Sequence, residues 1–511
     1  MGLPPVPLSD LAHLDGRHNL RADRPVGRHG DIGDDPAVTG VSLRGDAVRP
    51  GDLFAALAGA SVHGAVFAGA AARAGAVAVL TDSAGLDTVR GDPDAAMLPV
   101  LVADRPREVV GSLAARVYGD PSRRLRVIGV TGTSGKTTTC YLLEGALAAA
   151  GQRTGLIGTV AARIDGEQLP STLTTPEAPD LQALFAVMAQ RGVDAVAMEV
   201  SSHALAQGRV AGTAFAVGAF TNLSQDHLDF HGDMEGYFAA KRLLFDGRAS
   251  AEVVVVDDEY GRRLAAERRG AVTVSAMPGA RADWTVSARP GSAGTQQLEV
   301  RGPGGQRIQT GIGLPGAFNV TNAGTALACV AAAGLDPTAA AAGLAGVRVP
   351  GRMEPVDVGQ PFLALVDYAH KPAALQAALA AVRSHCTGQL IVVVGAGGDR
   401  DHGKRPMMGQ VAAEGADLVI VTDDNPRSED PAAIRAALML GARAAGGPPV
   451  REIGDRREAI VAAVRAAGPG DAVLIAGKGH ERGQEIAGVV HPFSDVDELA
   501  AALATLPGGS L

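Results

Sequence analysis

The chain is poor in cysteine and in aromatic residues, with three cysteines, one tryptophan and 3% aromatic side chains in 511 residues. Cys140, Cys329 and Cys386 lie far apart and form no CxxC pair, which excludes a disulfide framework and leaves reduced thiols of a cytoplasmic protein. With so few rings, packing must rely on small and branched aliphatic side chains. Every apolar run is broken by charge before reaching membrane-spanning length, and the N-terminus has no apolar signal core, so no stable membrane insertion is expected. Positive charge is also short: 46 Lys and Arg against 55 Asp and Glu give a formal charge of −9, which argues against bulk attraction to nucleic acid. What is plentiful is glycine, at 67 residues, within a 46% apolar chain too long for one core. Its length suggests roughly three domains.

Three segments follow from the periodicity. Residues 1–110 read as a small α/β domain whose first stretch, Met1 to Ala37, is rich in Pro, Gly, Asp and Arg and is expected to be loosely held. Residues 111–348 alternate strand-like runs, as at Ala195 to Val200 and Phe215 to Phe220, with helical text, the pattern of a mostly parallel, doubly wound sheet. Between Asp283 and Ile312 that pattern gives way to glycine-punctuated, antiparallel strands, read as an excursion on this central domain. Residues 349–511 form a second α/β sheet domain, each strand ending in a polar or glycine-rich loop where open sheets place ligands.

The central segment opens on a short apolar run ending in Gly132-Thr133-Ser134-Gly135-Lys136-Thr137-Thr138, followed by helical text. Strand, glycine-bearing loop and helix form the context of a phosphate loop. Converging N–H groups and the helix dipole favour an anion there, Lys136 can reach terminal phosphates, and Thr137 can offer a hydroxyl to Mg²⁺. The common form would want glycine where Val130 stands. The alternative is an ordinary strand-to-helix turn.

Further polar groups gather at strand ends. Glu199, in Glu199-Val200-Ser201-Ser202-His203, is placed to meet a nucleotide-bound Mg²⁺, or else is a surface acid. His227 lies in T-N-L-S-Q-D-H, a cluster too polar for a core and suited to metal or phosphate. Lys241, on a largely apolar helix, reads most simply as a snorkelling side chain. In the last segment Asp367-Tyr368-Ala369-His370, the turn Gly395 to Pro406 with Arg400, Asp424-Asn425-Pro426-Arg427 and Gly477-Lys478-Gly479-His480-Glu481 make four polar loops. Such a concentration suits a small charged substrate.

Taken together and in order, T-G-T-S-G-K-T-T, T-T-P-E, M-E-V-S-S-H-A-L, T-N-L-S-Q-D-H-L-D-F-H-G, Y-F-A-A-K-x-x-L-F, G-x-F-N-V-x-N, G-R-M-E, D-Y-A-H, G-G-D-R-D, D-N-P-R and G-K-G-H-E resemble the Mur ligases, the ATP-dependent amide-forming enzymes of peptidoglycan precursor synthesis. The likeness runs from Val48 to Ala502 and is greatest for the branch that adds the third peptide residue. It implies a UDP-recognition domain, a central ATPase domain and a Rossmann-like C-terminal domain. It also implies ATP and Mg²⁺, two ions in all, as cofactors, and UDP-N-acetylmuramoyl-L-alanyl-D-glutamate as substrate, with no oligomer required. Residue by residue, Thr133 to Thr138 would hold ATP phosphates, joined by Asn319, Asn322, Arg352 and Asp367. Thr174, Thr175, Ser201, Gln207 and Arg209 would hold the UDP-linked dipeptide. Glu199 and His227 would bind Mg²⁺, and Lys241 matches the family lysine that carries a carbamate and helps bind the second ion, which replaces the snorkelling reading.

The resemblance also implies the amine. D-N-P-R is the form that goes with meso-2,6-diaminopimelate, Arg427 meeting the distal carboxylate that lysine lacks and repelling lysine's ammonium. Asp424, Asn425, Pro426, Arg400, Gly477 and Glu481 complete this set, with Glu481 accepting from the distal ammonium. One departure stands out. The family has D-S-R shortly before P-G-D-L-F, and here the text is Arg44-Gly45-Asp46. Ser42, or His63-Gly64-Ala65, would have to supply the missing contact to uridine. Rival readings are an L-lysine-adding ligase, which Arg427 opposes, a folylpolyglutamate synthase, and a non-catalytic nucleotide-binding scaffold, which need not keep Lys136, Glu199, His227 and Lys241 together.

Overall fold

A computed structural model describes residues 4–14, 19–23, 35–169, 173–291 and 294–506. Contacts divide the chain into two compact units, Met1–Thr273 with Thr325–Pro337, and Val274–Gly324 with Thr338–Leu511.

The first unit contains two sheets. The smaller has five strands in the order Arg21–Asp23, Val100–Val102, Ala78–Thr81, Asp52–Ala55 and Gly40–Ser42, antiparallel only at its first pair. Its strands are buried on both faces: Leu53, Leu80 and Leu101 join one apolar cluster while Phe54, Val79 and Val102 join another. Successive side chains point to opposite faces, so continuous apolar strands demand cover on both sides. The helix Pro106–Val117 supplies part of that cover through Val109, Val110, Leu113 and Val117. It therefore runs unbroken through the boundary expected at residue 110.

The stretch expected to be loose is in part firmly packed. Val6 and Pro7 pair with Val38 and Ala37, and Leu8 and Leu11 of the helix Leu8–Ala12 are fully buried in the same cluster. Those two leucines at helical spacing outweigh the Pro and Gly around them. Residues 1–3, 15–18 and 24–34 of that stretch lie outside the described residues.

The larger arrangement in this unit orders Glu167–Leu169, Ala162–Ile164, Thr154–Ile157, Ala195–Glu199, Arg126–Thr131, Phe215–Phe220 and Ala249–Val255 side by side. From Thr154–Ile157 onward the pairs are parallel. Arg126–Thr131 thus lies between Ala195–Glu199 and Phe215–Phe220, with Glu199 in register with Val130 and Phe220 with Thr131. All three chains leave the sheet at the same edge. That register sets the chemistry at the carboxyl ends, where open parallel sheets bind ligands.

The second unit holds a six-stranded sheet in the order Glu354–Pro355, Leu363–Asp367, Ala472–Ala476, Leu390–Val394, Leu418–Val421 and Val450–Glu452, parallel apart from its first pair. Leu390, Val392 and Val394 face one cluster with Leu375, Met408 and Leu438, whereas Ile391 and Val393 face another with Ile460, Val464 and Leu499. Helices on both faces make this the second α/β sheet that the alternating sequence implied, in the Rossmann-like form that the resemblance implied. The strands Trp284–Pro290, Gln296–Arg301 and Arg307–Ile312 form the expected antiparallel excursion, and by contact they belong to this second unit. The hairpin Gly483–Ile486 with Val489–Pro492 was not anticipated from the sequence.

Candidate active site

The phosphate loop is held from its flanks. Gly132 has φ of 147°, and a Cβ there would lie 1.9 Å from Thr221 Oγ1, so only glycine fits the turn. Gly135, at φ 87°, caps the helix Lys136–Ala149. Thr221 and Asn222, the first residues beyond Phe220, clasp the loop. Thr221 Oγ1 donates to Ser134 O at 2.7 Å, Asn222 Nδ2 donates to Ser134 O at 3.0 Å, and Ser134 N–H donates to Asn222 Oδ1 at 3.0 Å. Thr133 Oγ1 is 3.2 Å from the Tyr237 hydroxyl. None of Thr221, Asn222 and Tyr237 stood out as a site residue in the sequence, although all three lie in its polar or helical motifs.

Two lysines converge on this loop. Lys136 Nζ donates to Gly132 O at 2.8 Å and to Thr133 O at 2.9 Å. Lys241, only 1% exposed, donates to the same Gly132 O at 2.7 Å and lies 4.5 Å from the Tyr237 ring centroid. A snorkelling lysine would reach water; this one points inward.

Glu199 is buried and its carboxylate accepts three hydrogen bonds from two segments. Thr137 Oγ1 donates to its Oε1 at 3.0 Å, Thr159 N–H to Oε1 at 2.8 Å, and Thr159 Oγ1 to Oε2 at 3.2 Å. Thr159 could not have been found from sequence, because its role depends on Thr154–Ile157 lying beside Ala195–Glu199. Through Thr159 the network reaches Thr174, their hydroxyls 3.0 Å apart. Thr175 Oγ1 donates to Glu199 O at 2.9 Å and accepts from Ser201 N–H at 3.2 Å, while Arg209 donates to Thr175 O at 3.3 Å and pairs with Glu177 at 2.8 Å. Thr174, Thr175, Ser201 and Arg209 therefore form one patch with Glu199. Gln207 ends the adjoining short helix, its N–H bonded to His203 O at 2.8 Å.

His227 adopts φ of 52° and its Nε2 lies 3.3 Å from Asp226. Its ring is 4.7 Å from His203, which is in turn 5.4 Å from His231. Burial lowers the pKa of both His203 and His231, which favours the neutral form of those two rings. Among the described residues no group of three or more His, Cys, Asp or Glu is arranged to hold a metal by itself. Mg²⁺ needs no such cage, since it commonly takes one or two carboxylates plus substrate phosphates and water. The hard oxygens of Thr137 and Glu199 beside the phosphate loop suit that mode.

In the small sheet, His63 Nδ1 accepts from Ala65 N–H at 3.1 Å and its Nε2 lies 3.2 Å from Asp82. Gly64 packs so closely that a Cβ would lie 2.8 Å from Leu57 O. Ser42 Oγ is engaged in its own turn, donating to Arg44 O at 2.9 Å, and Arg44 pairs with Asp46 at 2.7 Å.

In the second unit, Asn319 and Asn322 are buried side by side, Asn322 Nδ2 donating to Asn319 Oδ1 at 3.1 Å. Asp367 accepts Met353 N–H at 2.7 Å and Ala369 N–H at 2.9 Å; burial raises its pKa, against the pull of Arg352. The Arg352 guanidinium stacks 4.3 Å from the Tyr368 ring, with a buried Nη1 that finds no hydrogen-bond partner among the described residues. Arg427 has φ of 55° and is held as a strand residue would be. Its N–H donates to Glu485 O at 3.0 Å and its carbonyl accepts from Ala487 N–H at 2.7 Å. Its guanidinium meets Gly398 O at 2.6 Å and Glu485 at 3.3 Å. Asn425 Nδ2 donates to Glu481 Oε2 at 2.8 Å, and the Asp424 carboxylate lies 2.6 Å from where a Cβ on Gly477 would stand. Close against Pro426, Gly398 would place a Cβ 1.9 Å from Pro426 O. Arg400 is exposed at the edge of this group. Glu485 and the Arg405–Glu429 pair, at 2.7 Å, buttress it; Arg405 lies in the turn Gly395 to Pro406, whereas Glu485 and Glu429 had no signal in the sequence.

This arrangement has counterparts among known proteins. Residues 37–118 match the model of the Mur ligase family catalytic domain, 130–330 that of the Mur ligase middle domain, and 351–479 that of the Mur ligase glutamate ligase domain. A UDP-N-acetylmuramoyl-L-alanyl-D-glutamate–2,6-diaminopimelate ligase of Corynebacterium glutamicum is 52% identical over 478 residues, covering 91% of this chain and 92% of that protein. The protein of the same name from Corynebacterium efficiens is 55% identical over 461 residues, 88% of this chain and 87% of that one. A solved structure of a UDP-N-acetylmuramoyl-L-alanyl-D-glutamate–2,6-diaminopimelate ligase superposes with a TM-score of 0.68 at 33% identity, covering 98% of this chain and 99% of that one. The chain belongs to the Mur ligase family.

Proposed function

We propose that this chain is the ATP-dependent ligase that joins meso-2,6-diaminopimelate to UDP-N-acetylmuramoyl-L-alanyl-D-glutamate, working in the cytoplasm with no oligomer required. The observation that carries the choice of amine is Arg427, pinned by Glu485 and Ala487 beside Asn425 and Glu481. A guanidinium and a carboxylate so placed suit a substrate end bearing both a carboxylate and an ammonium. Among the described residues no helix is long and apolar enough to cross a membrane.

In this reading the D-Glu γ-carboxylate attacks the γ-phosphorus of ATP in line. The bond to the bridging oxygen breaks, and ADP leaves behind an acyl phosphate. The substrate amine, having lost a proton, then attacks the acyl carbon and phosphate departs with its electron pair. Lys136 stabilises charge on the transferring phosphoryl oxygens, and the loop N–H groups orient the phosphates. Thr137, Glu199 and His227 would hold Mg²⁺, which when bound neutralises phosphate charge. Thr174, Thr175, Ser201, Gln207 and Arg209 hold the UDP-linked dipeptide, and Asn319, Asn322, Arg352 and Asp367 serve the nucleotide. His63, Gly64, Ala65 and Ser42 face the uridine end.

Lys241 carries a carbamate, formed when its neutral amine adds CO₂ and releases a proton. The change turns a buried donor to Gly132 O into an oxygen anion suited to a second Mg²⁺. Activity should then fall in CO₂-depleted buffer and return with bicarbonate. Activity indifferent to bicarbonate across that range would remove the carbamate from the account.

The deciding experiment measures phosphate release with ATP and the UDP-linked dipeptide, with meso-diaminopimelate or with L-lysine. Release with diaminopimelate alone is the expected result. Release only with lysine would assign the chain to the lysine-adding branch, and release with neither would leave a nucleotide-binding scaffold.

A further inference from the structure

Lys478 is fully buried, and nothing in the reaction described above uses it. A desolvated ammonium persists only where it is paired and hydrogen-bonded. Here its Nζ donates to Asn425 Oδ1 at 2.9 Å and to Glu481 Oε2 at 3.1 Å, and lies 3.8 Å from Asp424 Oδ1. Every one of those partners lines the amino-acid loops. The Asn425 amide is thereby locked: its Oδ1 also accepts Glu485 N–H at 3.0 Å, while its Nδ2 donates to Glu481 Oε2. One ammonium thus joins the loop Asp424–Arg427 to Glu481, and the next residue but three beyond Glu481 carries the backbone that holds Arg427.

We propose that Lys478 is a positioning residue that sets amino-acid specificity: it fixes Asn425 and Glu481 and offsets one of the two carboxylates, Asp424 and Glu481, that flank it. The inference rests on the reading that Arg427 and Glu481 receive the distal end of the incoming amino acid. The distal end of diaminopimelate carries an ammonium and a carboxylate and is neutral overall. That of lysine carries an ammonium alone. Asp424 and Glu481 without Lys478 would form a strongly anionic patch, which attracts a lone cation and repels a carboxylate. With Lys478 in place one of the two negative charges is offset, so the carboxylate-bearing substrate is repelled less and the lone cation gains less. Arg456 adds to the positive side from a distance, but its own charge is matched by Asp495, with both side chains fully buried. Discrimination here comes from withholding attraction from the wrong substrate as much as from contacts to the right one.

Lys478→Met keeps the length and apolar stem while removing the charge. In the full chain, kcat/KM is measured for diaminopimelate and L-lysine, together with the KM for ATP. Diaminopimelate kcat/KM should fall at least about tenfold, its preference over lysine should shrink by about tenfold, and the ATP KM should hold within about twofold. An equal loss with both amino acids, leaving the preference as in the wild type, would reduce Lys478 to a structural lysine and overturn the proposal. Because the single variant leaves Asp424 and Glu481 uncompensated and could unfold, Lys478→Arg, which keeps the positive charge and leaves both carboxylates in place, is the second variant. Its preference should stay near that of the wild type; a preference as weak as in Lys478→Met would also overturn the proposal. Failure of the functional reading looks different, since the wild-type chain itself would then release no phosphate with diaminopimelate.

Discussion

Lys136 and Lys241 meet at one atom, the Gly132 carbonyl oxygen, at 2.8 and 2.7 Å. The carbamate proposed for Lys241 would take away one of these two ammonium donors and leave Lys136 as the cation of the loop. The natural counter-charge is a phosphate chain carried by the loop. Replacing Lys136 by Ala removes the group that follows charge onto the transferring phosphoryl oxygens. Phosphate release should fall by about 10²–10³-fold in kcat, a size usual for losing one preorganised electrostatic donor. Circular dichroism should be unchanged, because Lys136 is only partly buried and bonds to loop carbonyls rather than to the core.

Arg427→Ala should raise the KM for diaminopimelate by about 30-fold or more while moving the ATP KM little, since truncating a charge paired with its ligand costs roughly 2–5 kcal/mol. Steady-state kinetics with each substrate varied in turn checks this. Equal effects on both constants would remove Arg427 from the amino-acid site.

The buried pair Arg456–Asp495 is a stability element rather than part of the chemistry. Asp495 receives both Nε and Nη2 of Arg456 at 2.7 Å, and Arg456 also donates to Ala476 O at 3.1 Å at the end of a central strand. Asp495→Ala leaves a guanidinium buried without its counter-charge and should destabilise the second unit by about 3–5 kcal/mol in urea unfolding. The double change with Arg456→Met should recover much of that loss.

Acid should weaken the second unit before it protonates ordinary carboxylates. Burial, opposed in His370 by its bond to Tyr368 O at 2.8 Å, lowers His370 to about 4, and burial followed by the nearby Arg352 lowers His480 to about 4. The ordinary value for both is 6.5. The folded-state pKa is thus the lower one, so this contribution to stability is fully present above about 6.5 and is lost as pH falls from there through about 4. Below that both states are protonated and the loss levels off. Unfolding midpoints recorded between about pH 7 and about pH 4 should show that slope, and His370→Gln should flatten it.

Much of this protein is set by local order in the chain. The apolar runs at Leu390–Val394 and Arg126–Thr131 read as strands covered on both faces, and the glycines and Lys136 between the latter and its helix carry the pattern of an anion loop. The order of the motifs then named the family. Two local signals misled. Pro and Gly near the N-terminus hid Leu8 and Leu11, whose burial depends on the sheet they meet, and the apolar face around Lys241 suggested a side chain reaching water.

Tertiary structure decided what sequence spacing has no means to encode, because these contacts join residues on separate strands. Strand order brought Thr159 and Thr137 to the Glu199 carboxylate across separations of 40 and 62 residues. The hairpin after Glu481 locked Arg427 through Glu485, and Lys478 was turned inward onto Asn425. Composition and motif order thus determined the fold class and the family; the pairing of strands, which sets the neighbours of each buried charge, determined which side chains act together.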